Sequence, residues 1–165
     1  MTEAAPARSA KQRKLDTLAR LERDVDVWVA TADPGSGTPY MMPLSFLWHD
    51  GALILSTRAS NPVARNLLAT GKVHLGLGET RDVVHIEGEA EALTADELTP
   101  ALGDAFAAKT GFDPRTLSAP YPYFRVRPLH VRAWREVNEL DGRDLMRDGV
   151  WLSLTDARVP LTAGR

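Results

Sequence analysis

The run Pro39-Tyr-Met-Met-Pro-Leu-Ser-Phe-Leu-Trp48, the triplet His49-Asp50-Gly51 and the run Leu53-Ile-Leu-Ser-Thr57 together decide the fold. Two extended apolar stretches separated by an Asp-Gly turn read as a β-hairpin, which makes the strands antiparallel. The first strand has almost no polar–apolar alternation and carries Pro39 and Pro43. Proline has no N–H to give a ladder, so this strand lies at an edge or leaves one side unpaired.

Upstream, Asp33-Pro-Gly-Ser-Gly-Thr-Pro39 is turn chemistry, and Val25, Val27 and Val29 alternate with Asp26, Trp28 and Ala30 as a strand does. Leu15, Leu18 and Leu21, with charged residues between them, predict an amphipathic helix from Ser9 to near Asp24, with one apolar stripe. Residues 1–8 read as a disordered lead-in. Downstream, Ser60 or Asn61 caps a short helix with Pro62 in its first turn and Gly71 at its C-cap. Val73, Leu75 and Leu77, then Val84, Ile86 and Ala90, restore the two-residue period around a turn at residues 78–82. Thr94 and Glu97 have capping-box spacing, and Leu98, Ala101, Leu102, Ala105 and Phe106 trace a helical face ending at Gly111. Tyr123 to Trp134 is a long strand broken by Pro128. Arg147-Asp-Gly149 is a hairpin turn before Val150 to Leu154, and residues 156–165 form a tail.

Five or six strands joined by short turns, with three helices inserted, lack the strand–helix alternation of a parallel sheet. Antiparallel strands this short need closure to hide their edges. The expectation is a mainly β protein: one compact antiparallel barrel over residues 9–155, with flanking helices.

Composition narrows the functional classes. At 165 residues the chain is one domain long, and 44% hydrophobic content is too high for a disordered protein. A net charge of −2 excludes nucleic-acid affinity through bulk positive charge. The absence of cysteine excludes disulfides, thiolate catalysis and cysteine-ligated metal centres. No apolar run approaches the ~18 residues of a membrane span, and the first residues have no signal-peptide core. The reading is a cytoplasmic domain with neither a nucleic-acid nor a membrane partner.

His49, His74, His85 and His130 show no tight metal-ligand spacing, so no metal site is expected, and His74 and His85 read as solvent-facing or hydrogen-bonded sheet residues. Gly35-Ser-Gly37 is a turn rather than a dinucleotide fingerprint, and Glu87, Glu89 and Glu91 mark the solvent face of a strand. The segment Ser56 to Asn66 is different. Ser56, Thr57, Ser60 and Asn61 bring short polar groups, Arg58 and Arg65 bring cations, and a helix start follows at once. Such a start attracts anions, and guanidinium matches phosphate. Two readings stand: a well-capped surface helix, or an anion seat. The open, Met-bearing strand before it suits a flat aromatic ligand with a phosphate tail.

In order, Trp28-Val-Ala-Thr-Ala, Pro39 to Trp48, Gly51-Ala-Leu-Ile-Leu-Ser-Thr57, Ala64-Arg-Asn-Leu67, Lys72-Val-His-Leu75, Val84-His-Ile-Glu-Gly-Glu-Ala90 and the closing strand Tyr123 to Trp134 resemble one known family. It is the pyridoxamine 5'-phosphate oxidase-like split-barrel flavoproteins, including the branch that uses the deazaflavin coenzyme F-420. The resemblance covers roughly Asp24 to Trp134. It implies a six-stranded antiparallel split β-barrel of Greek-key type, homodimeric, with two cofactor sites at the subunit interface. Met42, Pro43, Leu44 and Ser45 would run along the isoalloxazine-type ring. Ser56, Thr57 and Arg58 would meet the ribityl or phosphate portion, with Ser60, Asn61, Arg65 and Asn66 at the phosphate. Trp134 would close over the ring from the partner subunit.

The chain departs from the family pattern at Val63, where many relatives carry lysine, and at Pro62, where a basic residue is common. Arg58 and Arg65 are left to serve the phosphate, which favours FMN over the longer polyanionic tail of coenzyme F-420. The resemblance implies a flavin- or deazaflavin-dependent oxidoreductase acting on a small molecule, without a protein acid or base. Ser45 is the one candidate to polarise the ring. The alternative is a non-catalytic, cofactor-sequestering protein of the same fold.

Overall fold

The computed structural model describes residues 5–152. A helix, α1 (Ala10–Arg23), leads into three antiparallel strands, β1 (Asp26–Ala32), β2 (Pro39–His49) and β3 (Ala52–Ser56). A short helix α2 (Pro62–Thr70) precedes the hairpin β4 (Lys72–Leu77) and β5 (Val83–Ala92). Helix α3 (Pro100–Thr110) crosses to the long strand β6 (Tyr123–Trp134), which a small hairpin, β7 (Asp144–Arg147) and β8 (Val150–Trp151), extends.

The sheet order is β3-β2-β1-β4-β5-β6-β7-β8, and β3 also pairs with β6. That last pairing, from Leu53 opposite Val126 to Ser56 opposite Tyr123, closes six strands into a barrel. Mainly β architecture and a closed six-stranded antiparallel barrel with flanking helices are therefore observed. Inward positions of every barrel strand, among them Val27, Val29, Phe46, Leu53, Leu75 and Ile86, fill the interior, as the two-residue period of a strand demands. Val63, Ala64 and Leu67 of α2 join this core. A second cluster under α3 packs Phe106 against Tyr123 and Ile54 on the barrel's outside.

Three local expectations change. The helix α1 is present, capped by Ser9 on Gln12 N–H, but Leu15 is exposed and the buried face is Arg13, Thr17, Arg20 and Leu21. At ~100° per residue, a spacing of three drifts by about 60° at each step, so Leu15 and Leu21 diverge by roughly 120°. The Thr94–Glu97 box forms reciprocally, at 2.8 and 3.3 Å, yet it closes a single turn. Helix α3 starts at Pro100 under a Thr99 cap, because a residue before proline is driven into extended backbone; Thr99 has ψ 155°. Pro128 does not break β6. The strand runs on through a register shift opposite Glu87 and Gly88.

Residues 5–8, within the expected lead-in, have a defined place: Arg8 donates to Glu139 and Asp16. The expected tail at 156–165 and the end of the last expected strand lie outside the described residues. No helix among those described is long and apolar enough to cross a membrane.

Candidate functional site

The start of α2 is built by purely local chemistry. Asn61 Oδ1 accepts Val63 N–H at 2.9 Å, Pro62 occupies the first turn, and Gly71 closes the helix at φ 66°, where a side chain would be strained. The loop before it is fixed to the segment preceding β6: Ala59 N–H donates to Pro120 O at 2.9 Å and Ser56 Oγ to Pro122 O at 3.0 Å. Asn66 is buried and donates Nδ2–H to Thr31 Oγ1 at 3.0 Å, tying the helix to β1. Arg65, one residue earlier on the helix, faces solvent.

Arg65 and Asn66 form one wall of a cleft of about 410 Å³, whose other walls include Asp33, Thr38, Pro39 and Tyr40. The opposite wall is tied together by local hydrogen bonds. Asp33 Oδ1 accepts Gly35 N–H, Ser36 N–H and the Ser36 hydroxyl at 2.8–3.0 Å. Ser36 N–H and hydroxyl, with Gly35 N–H, hold the Asp33 carboxyl below its ordinary pKa, and Arg65 adds to the effect. Arg58 and Arg65 have no ion-pair partner among the described residues, which leaves both guanidinium groups for an anion.

The strand β2 keeps the opening expected from its prolines. It pairs with β1 from Pro39 to Ser45 and with β3 only from Phe46 to His49. Residues 39–45 therefore have one unpaired side, and Pro39 and Tyr40 at their start border the cleft.

The residues singled out in the sequence divide into four groups. Arg65 and Asn66 line the cleft, with Asn61 supporting the helix start, and Arg58 and Ser60 lie exposed on the loop leading into it. Ser56 and Thr57 are buried, and the Ser56 hydroxyl is already engaged by Pro122 O. Along β2, Met42 and Leu44 turn inward against the core while Pro43 and Ser45 face out; Ser45 Oγ donates to Asp26 Oδ1 at 2.7 Å. Trp134 is not brought to the cleft within one chain. Tyr123 pairs with Ser56 while Trp134 pairs with Val83, and the eleven residue steps from one to the other span about 35 Å of strand. The Trp134 ring instead carries the Arg143 guanidinium 5.0 Å from its centroid.

Sequence reasoning read Asp33 to Pro39 as a turn and missed that its residues wall the cleft. The Asp-x-x-Ser spacing, which makes an Asx-turn, was the available signal.

The sequence model of the family described as pyridoxamine 5'-phosphate oxidase matches residues 17–135. No functionally curated protein matches the chain. Solved structures with a similar fold include a FAD-binding protein from Mesorhizobium loti, at 20% identity and TM-score 0.59, covering 76% of this chain and 92% of that one. An F-420 reductase is similar at 22% identity and TM-score 0.57, over 68% of this chain and 93% of that one. A heme binding protein from Mycobacterium smegmatis is similar at 23% identity and TM-score 0.60, over 89% of this chain but 60% of its own length.

Proposed function

The chain belongs to the pyridoxamine 5'-phosphate oxidase family, and from that membership we propose a flavin- or deazaflavin-dependent oxidoreductase that works as a homodimer on a small organic acceptor. FMN is the preferred cofactor and coenzyme F-420 the alternative. The observation that carries the reading is Arg65, unpaired among the described residues, in a cleft that joins the α2 start to the open half of β2. That cleft joins a cation, where a phosphate would sit, to an apolar strand, where a planar ring would lie. The residues fit a short phosphate tail, since they supply two guanidinium groups and no lysine. The bound ring supplies hydride transfer. The chain's share is to hold the phosphate through Arg65 and Arg58, to fix the loop through Ser56 and Asn61, and to keep the ring face dry. Trp134 serves the cleft from the partner subunit, because its own chain carries it to the other end of β6.

A second reading, a protein of this fold that binds a cofactor without turning it over, rests on Asp33. Three donors hold that carboxylate ionised, which makes it a poor general acid. The fold is also shared by a heme binding protein, so heme belongs among the ligands tried.

The deciding experiment titrates FMN, coenzyme F-420 and hemin separately and follows flavin fluorescence and porphyrin absorption. Saturable FMN binding weakened about tenfold in Arg65→Ala is the expected result, the loss of roughly one charge-assisted contact. Turnover of the loaded protein with a quinone or an unsaturated carbonyl acceptor then separates enzyme from carrier. Binding of hemin alone, or of none of the three, overturns the proposal.

A further inference from the structure

Independently of the cleft, the outer face of the β4–β5 hairpin brings together two imidazoles that lie eleven residues apart in the chain. His74 Nδ1 and His85 Nε2 are 2.9 Å from each other, with ring centroids 5.0 Å apart and planes inclined by 43°. The register produces this: His74 stands opposite Glu87 and His85 opposite Gly76, so the two histidines are diagonal neighbours on one face. Gly76 has no side chain, and Trp28 stands opposite it on β1, with its Cβ 3.9 Å from where a Gly76 Cβ would be.

We propose that His74 and His85 form a binding site for a divalent first-row transition-metal ion of the zinc or copper class. The spacing is that of two ligands of one ion. Imidazole nitrogens at ~2.05 Å from a metal lie about 2.9 Å apart at a right angle and about 3.3 Å apart in a tetrahedron. Replacing the shared hydrogen bond requires only that each ring carry its proton on its other nitrogen. No proton is lost from the neutral pair; the His74 ring is exposed and the His85 ring half-buried.

His74 and Glu87 both line a groove of about 350 Å³ that also takes in Glu89 and, opposite it, Lys72. On the β6 side, Arg132 stands opposite His85 and is itself held by Asp144 at 3.0 Å, and His130 stands opposite Glu87. As the side chains stand, no three His, Asp or Glu groups among the described residues surround one point. The ion therefore keeps water on its remaining positions, and imidazole preference places zinc, nickel and copper above magnesium or calcium.

The test uses tag-free full-length protein and the metal alone. Zn(II) is titrated calorimetrically, and Co(II) is followed by its visible d–d absorption. One ion per chain is expected. His74→Ala and His85→Ala should each weaken binding at least tenfold, since even an outer partner's loss costs a metal site ~10–100-fold. His49→Ala, whose imidazole stands elsewhere beside Asp50, should leave it unchanged. His74→Gln and His85→Gln, which retain a polar group, are measured alongside and serve wherever an alanine variant fails to match the parent's circular dichroism. Absence of heat and of d–d bands at millimolar metal, or binding that survives both substitutions, overturns the proposal.

Discussion

Glu139 shows how a single residue can set the acid limit of this protein. Its side chain is only 2% exposed. Its carboxylate accepts Arg8 N–H, Nε–H and Nη2–H at 2.8–3.0 Å and Arg135 N–H at 2.9 Å. Burial alone would favour the protonated acid, but Arg8 and the two backbone donors outweigh it and bring the pKa down to about 2. A carboxyl depressed on folding contributes stability that is complete above its unfolded pKa of ~4.3 and vanishes as pH falls through the folded value. The shift corresponds to about 3 kcal/mol. Urea unfolding between pH 2 and 7 should therefore show stability falling below about pH 5. Glu139→Gln should lose ~3 kcal/mol at pH 7 and converge on the parent near pH 2. Parallel curves for the two proteins across that range would refute the assignment. Nothing in the local sequence marks Glu139, because its partner is 131 residues away.

Among the elements, α3 separates two signals that the sequence superposes. Both Thr94 and Thr99 have cap-like spacing, and both hydroxyls are used, on Glu97 N–H and Leu102 N–H respectively. Only Thr99 opens the eleven-residue helix that covers Phe106 and Tyr123. Thr99→Ala should accordingly cost about 1 kcal/mol, the usual worth of a lost N-cap, and Thr94→Ala measurably less in the same chemical melt. Equal effects would place the helix start at Thr94 instead. Elements whose signals are local were legible: α2, because Asn61, Pro62 and Gly71 act within a few residues of it, and the β2–β3 hairpin, because Asp50-Gly51 fixes its turn. What depends on register was not. The inward turn of Met42 and Leu44, the approach of Asp33 to Arg65 and the His74–His85 pair all follow from which residues face each other across strands. For the same reason Arg65 could be read as a cation at a helix start, while the cleft that it walls could not.

At the scale of the whole molecule, closing the barrel through β3 and β6 leaves an outer sheet face that one chain does not cover. Trp28 and Met41 remain 45% and 62% exposed. They are carried there by cross-strand pairs, Trp28 with Pro43 and Ala30 with Met41, so they belong to one contiguous apolar surface beside the open half of β2. A stable interface buries roughly 800 Å² per partner with aromatic anchors near its centre, and Trp28 is the aromatic residue on this surface best placed to be one. If the proposed homodimer forms there, Trp28→Glu introduces a carboxylate that must be desolvated on association. The variant should sediment as a monomer at concentrations where the parent is a dimer, and it should lose cofactor uptake as well, because Trp134 could no longer come from a second chain. Val137→Glu, at a position 80% exposed, controls for the added charge and should change neither property. A parent that sediments as a monomer while still binding FMN would confine the site to one chain. A Trp28→Glu variant that dimerises normally but loses FMN would put Trp28 in the cofactor site rather than in the contact.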